Sequence, residues 1–219
     1  MLLEVIAYNL EDVKKINQSN ASRIELVRDI DKEGLSPSKE LILEACEISN
    51  IPINVMVRET WDSFVYSDEE FEKLLNEIDF IKTTAVNGIV FGSLTTENKI
   101  NEKQLAEVIK RKEHLEITFH KAFDLVDDFT NQYNLLQKYN VTNVLTTCGA
   151  SFEANQDKIK ELAKINNPKV LIGGGINETN FKAAMRISQN VHIGKLARKN
   201  NDINNEIDVD KINKLFKGK

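Results

Sequence analysis

Cysteine is scarce in this 219-residue chain: Cys46 and Cys148 are the only two, and no Cys-x-x-Cys spacing occurs. That excludes a disulfide framework and a cysteine-rich zinc site, and it fits a reducing compartment such as the cytoplasm. No basic block precedes the C-terminal tail, and the net charge is −5. A nucleic-acid partner is not expected, because neutralising phosphates takes clustered Lys and Arg. No apolar run approaches the roughly 18 residues of a membrane-spanning helix, so no membrane partner is expected either. Residues 1–6 meet Glu4 at once and carry no basic region, which predicts no secretory leader. No stretch rich in Pro, Gly and Ser divides the chain into domains. What remains is 41% hydrophobic and 29% charged, an ordinary globular composition with ample length for a full core.

Short apolar, strand-like runs recur at 2–7, 23–27, 53–57, 88–91, 115–119, 143–146, 169–172 and 190–193. Helical stripes lie between them, most with a nameable start. Asn9 precedes Leu10, Val13 and Ile16, with Glu11 and Asp12 in the first turn, where the helix dipole favours acids. Ser36-Pro37 opens the next, with Pro at a first helical position. Ser67-Asp68-Glu69-Glu70 reads as a capping box. Asn101, Asp128, Ser151 and Asn177 head the later stripes. Eight strand–helix alternations predict an α/β fold, a single TIM-like (β/α)8 barrel of parallel strands with outer helices. An open doubly wound sheet is the competing architecture, but its first strand–helix turn should carry glycines. Here that turn is Tyr8-Asn9-Leu10. The barrel is expected over 1–198, and 199–219 as a tail whose stripe of Val209, Ile212, Leu215 and Phe216 forms a closing helix.

Chemistry in such a barrel sits at the C-terminal ends of the strands. Three ionisable residues crowd the end of the fifth strand: His120, Lys121 and Asp124. His120 is the candidate general acid or base, since its ordinary pKa of about 6.5 lies near working pH. Asp124 or Glu4 would orient it. Glu4, Arg23 and Glu25 lie mid-strand among apolar residues, where charges are seldom left unpaired. They predict an interior carboxylate–guanidinium cluster that Arg58 extends, either as a ligand site or as a structural salt-bridge layer. Thr146 ends the sixth strand. Gly173-Gly174-Gly175, with Asn177 as a helix N-cap, forms a candidate anion site beside His192, Gly194 and Lys195, with Arg198 one turn on. The glycines could instead serve only as a tight turn. Trp61, Phe64 and Tyr66 form a lid or cover the neighbouring helix. No residue is assigned as a metal ligand.

Several segments together resemble the CutC family. They include Leu3-Glu4-Val5, Arg23-Ile24-Glu25-Leu26, Phe64-Val65-Tyr66-Ser67-Asp68, Thr118-Phe119-His120-Lys121-Ala122-Phe123-Asp124 and Gly173-Gly174-Gly175-Ile176. The resemblance spans nearly the whole chain. It implies a TIM-like barrel, a cytoplasmic location, a dimer or larger homo-oligomer, and a nominal role in copper homeostasis, with copper as the implied cofactor. The chain departs from the family where copper-binding members carry cysteines: Ile6 and Val27 stand there. The family's Arg-Pro-Arg after the third strand is Arg58-Glu59-Thr60 here. Cu(I) prefers thiolate and thioether ligands, so copper binding is expected to be weak. Three roles remain: a copper-associated binder, an enzyme or binder for a small anionic and possibly phosphorylated molecule, and a structural oligomer with a relict cavity.

Overall fold

Eight parallel strands close on themselves in the order β1 to β8 in the computed structural model, which describes residues 1–215. The strands are β1 (Leu2–Ala7), β2 (Arg23–Leu26), β3 (Ile53–Met56), β4 (Gly88–Phe91), β5 (Glu116–Phe119), β6 (Asn143–Thr146), β7 (Lys169–Ile172) and β8 (Asn190–Ile193). The helices between and after them are α1 (Leu10–Ile16), α2 (Lys39–Ile48), α3 (Asp68–Ile81), α4 (Glu102–Arg111), α5 (Phe129–Lys138), α6 (Phe152–Ile165), α7 (Phe181–Ile187) and α8 (Val209–Lys214). No helix among the described residues is long and apolar enough to cross a membrane.

The caps explain where most helices begin. Asn9, Ser67, Asn101, Asp128 and Ser151 each accept a first-turn backbone N–H, and Ser67 with Glu70 completes the capping box. Two expected starts move. Ser38, not Ser36-Pro37, caps α2. The Ser36 hydroxyl is committed elsewhere: it donates to Glu77 and accepts the Arg58 N–H. Asn177 caps no helix. It opens a turn whose Asn180 precedes α7, so the helix starts four residues later and its dipole is not at the glycines.

Outside the barrel wall, the apolar stripes pack onto strands buried on both faces: Leu74, Leu75 and Ile78 of α3, Leu105 and Val108 of α4, Tyr133 and Leu136 of α5. The tail runs through a turn to α8, whose Ile212 is buried. Phe216, expected in that stripe, lies outside the described residues.

The register decides what meets inside. Glu4 of β1 lies opposite Arg23 of β2 on one side and His192 of β8 on the other. Glu25 lies two residues beyond Arg23, hence on the same face and one layer closer to the mouth. Three neighbouring strands therefore place four ionisable side chains in the barrel interior.

Candidate functional site at the barrel mouth

A cavity of about 620 Å³ opens at the C-terminal ends of the strands. Glu25, Met56 and His192 line its floor. Arg58, Phe64, His120 and Lys121 form one wall, and Gly174, Gly175 and Lys195 another. Glu4, Arg23, Asp124, Thr146 and Gly173, all expected at the site, are not part of its lining.

Beneath the floor lies a buried charge chain. Arg23 Nε donates to Glu4 Oε2 at 2.5 Å, and Glu4 Oε1 holds His192 Nδ1 at 2.8 Å. His192 Nε2 faces Glu25 Oε2 at 3.8 Å. Burial alone would raise the Glu4 carboxyl, but the Arg23 guanidinium and the His192 bond outweigh it and hold Glu4 ionised. Burial pushes Glu25 the other way, well above the usual carboxylate range, with Glu4 adding to the rise. Burial disfavours a charge on His192, and the carboxylates of Glu25 and Glu4 reverse this and raise it. Arg58 does not join this cluster, contrary to expectation. Its guanidinium donates to the carbonyls of Thr60 and Trp61 and stacks on Phe64, 4.4 Å from the ring centroid.

His120 is not oriented by a carboxylate. Glu4 is bound to Arg23 and His192, and Asp124 is bound to Thr146, to the Thr147 N–H and to Lys121. Instead the Ala122 N–H donates to His120 Nδ1 at 3.2 Å, which leaves the ring proton on Nε2. Nε2 is buried and has no hydrogen-bond partner among the described residues. Phe64 packs on the ring at 4.9 Å, and Gly92 lets the ring approach, since a Cβ there would lie 2.5 Å from Nδ1. Burial, then the nearby Arg58 charge, push the pKa of His120 down from 6.5 to about 3. At neutral pH this imidazole is therefore a neutral N–H donor at the cavity wall, at the position where the sequence predicts a general acid or base.

A pH dependence follows. The unfolded chain binds a proton at His120 near pH 6.5 while the folded chain refuses it until about pH 3. Stability from this residue is complete above pH 6.5 and drains away as the pH falls towards 3. By pH 5 the loss is about 2 kcal/mol. We expect denaturant unfolding at pH 7 and pH 5 to show this extra loss in the natural protein and not in His120→Gln; equal losses would refute a buried neutral ring.

The loop after β3 divides its work. Phe64 covers the mouth, whereas Tyr66 is buried against Phe91 and accepts at its carbonyl from Gln104 of α4. Thr146, expected to touch a ligand, is spent on Asp124 and on the Cys148 N–H. Asp124 thus braces the loop after β6 and anchors Lys121, whose Nζ lies against Gly174. Gly174 and Gly175 adopt φ of +114° and +71°, a conformation glycine reaches without strain. Their N–H groups donate to no protein acceptor among the described residues. Lys195 lines the cavity, but Arg198 points away and is buried against Asp12.

The closed barrel carries its cavity at the C-terminal ends of the strands, the end at which TIM barrels place their chemistry. The chain belongs to the CutC family, whose model matches residues 1–197. A family protein CutC of Glaesserella parasuis is 33% identical over 185 residues, covering 83% of this chain and 76% of that protein. The human copper homeostasis protein cutC homolog is 30% identical over 184 residues, covering 83% and 67%. A crystal structure described as a CutC copper homeostasis protein of Streptococcus agalactiae superposes with a TM-score of 0.82 at 25% identity, covering 88% and 97%. Thiamine phosphate pyrophosphorylase of Pyrococcus furiosus, with a TM-score of 0.66 at 11% identity, shares the fold alone.

Proposed function

We propose that this protein binds, and acts on, a small molecule bearing a phosphate or carboxylate in the barrel mouth. One observation carries this reading: the free N–H groups of Gly174 and Gly175 share a cavity with the ammonium groups of Lys121 and Lys195. Backbone donors in such a turn approach an anion closely, and the lysines supply the charge. His120 Nε2–H is a further donor on the facing wall. The molecule's other end would rest on Glu25 and His192. A cytoplasmic location accords with two unpaired cysteines.

Copper(I) fits this site poorly. The positions where copper-binding members carry cysteine hold Ile6, at the cavity wall, and Val27, buried beside Met56 and Val90. The Cys148 thiol is pushed up to about 12 by burial, and it lies outside the lining. Cys46 sits on α2, half-buried against the core. Among the described residues, the sulfur at the cavity wall is that of Met56.

Calorimetric titration with inorganic phosphate, with a crystal soak beside it, tests the anion site. The soak is expected to place the ion within hydrogen-bond reach of the Gly174 or Gly175 N–H. Lys121→Ala and Lys195→Ala are each expected to weaken binding about tenfold, about 1.4 kcal/mol. Affinity unchanged in the double variant would remove the anion site.

A further inference from the structure

Glu25 poses a problem the anion site does not solve. Its side chain is 3% exposed, and its carboxylate makes no hydrogen bond among the described residues. A buried acceptor left unsatisfied costs free energy, and in native proteins such a group commonly marks a water or an ion. Arg23 does not neutralise it: that guanidinium is bound to Glu4 and approaches Glu116 at 3.5 Å. His192 Nε2 lies 3.8 Å from Glu25 Oε2. That is too far for a hydrogen bond. It is the separation of two ligands that share one ion at about 2.0–2.2 Å from each.

We propose that Glu25 and His192 hold a divalent metal ion in the floor of the barrel mouth, with Glu4 orienting His192. Ligand atoms of the three residues lie within 4.8 Å of one another. Both oxygens of Glu4 are already engaged, one by Arg23 and one by His192 Nδ1. Glu4 therefore acts from the outer shell. It accepts the hydrogen bond from Nδ1–H and leaves the Nε2 lone pair facing Glu25, the carboxylate–histidine–metal arrangement that fixes tautomer and ring orientation. The donor set of carboxylate and imidazole suits zinc or manganese rather than Cu(I). Glu4 and Arg23 cancel each other, so Glu25 and the ion leave a net positive charge facing the cavity. The remaining coordination positions open onto the cavity, where an anion or water completes them. This places the metal at the far end of the molecule held by Gly174 and Gly175, and in that respect it rests on the function proposed above.

Chelator-stripped full-length protein titrated with Zn2+ by calorimetry is the test, with Mn2+ followed by electron paramagnetic resonance. One equivalent is expected to bind. Glu25→Gln and His192→Gln are each expected to weaken zinc at least tenfold, and Glu4→Gln by about 10–100-fold. Far-UV circular dichroism and thermal unfolding establish that each variant is folded. Glu25→Gln is the decisive one, because it removes an acceptor that bonds to nothing and need not unfold the chain. No zinc binding by the natural protein, or equal zinc binding in a folded Glu25→Gln, would overturn the site. So would Cu(I) bound more tightly than zinc in a manner that depends on Met56 or Cys148. Phosphate titrated into the stripped protein separates this site from the anion cradle. Phosphate binding without zinc binding removes the metal alone, and zinc binding without phosphate binding removes the cradle alone.

Discussion

Arg198→Ala is expected to lower unfolding free energy by about 3–5 kcal/mol, the cost of stripping one partner from a buried ion pair. Arg198 is fully buried. Its Nη2 donates to Asp12 Oδ2 at 2.8 Å and to the Ile6 carbonyl, its Nη1 to Asp12 Oδ1 and the Asn205 carbonyl, and its plane stacks on Tyr8 at 4.4 Å. One side chain thus ties the end of β1, the first turn of α1 and the tail that leads into α8. Removing it leaves the Asp12 carboxylate buried with the Tyr8 N–H as its remaining donor among the described residues. The measurement is urea unfolding, and its control is the double variant Asp12→Leu/Arg198→Met. Because both charges then leave together, most of the loss should be recovered. A double variant no more stable than Arg198→Ala would show that packing, not the ion pair, carries the effect.

Glu4→Gln should cost about as much, about 3–5 kcal/mol, by a different route. The substitution keeps the shape and removes the charge. Arg23 is then buried without a counter-ion on its own layer, since Glu116 approaches it only at 3.5 Å and is itself half-exposed. His192 also loses the charged acceptor that holds its ring. In the natural protein Glu4 is held ionised against its burial, so the stability it contributes is present above the ordinary carboxylate pKa and lost in strong acid. The natural protein should therefore lose more stability than Glu4→Gln between pH 5 and pH 2.5. Parallel acid profiles for the two would mean that Glu4 is not the ionised partner.

Both residues were visible in the sequence, but only one was visible for its role. Glu4 with Arg23 and Glu25 read as an interior cluster, because charged residues alternate there with fully apolar ones on strands that must be buried on both faces. Asp12 and Arg198 read differently: the first as an acid at a helix N-terminus, the second as a cation near an anion. Each reading was locally reasonable. The pair is separated by 186 positions, and no local pattern announces that it forms.

The site divides in the same way. Gly174, Gly175 and Lys195 at the cavity wall follow from strand-end positions in a barrel, which a sequence period can reveal. That Asp124 turns to the loop after β6, that Arg58 turns to the carbonyls of Thr60 and Trp61 instead of the Glu4 layer, and that His120 bonds to its own Ala122 N–H do not follow. Those choices depend on side-chain direction within a few ångströms. The meeting of Glu25 with His192 was likewise missed, because β2 and β8 are not neighbours in sequence and are separated in the barrel by β1. The available signal was the period: Arg23 and Glu25 share a face, and Glu4 and His192 each sit three residues into a strand run.

The sequence by itself determined the eight-fold alternation, the parallel closed barrel and most helix starts, because periodicity and caps are local properties of the chain. Only the tertiary structure decided which charges pair, which histidine meets a carboxylate and which donors stay free for a ligand. Those outcomes rest on strand register and barrel closure, which bring residues nearly two hundred positions apart within hydrogen-bonding distance.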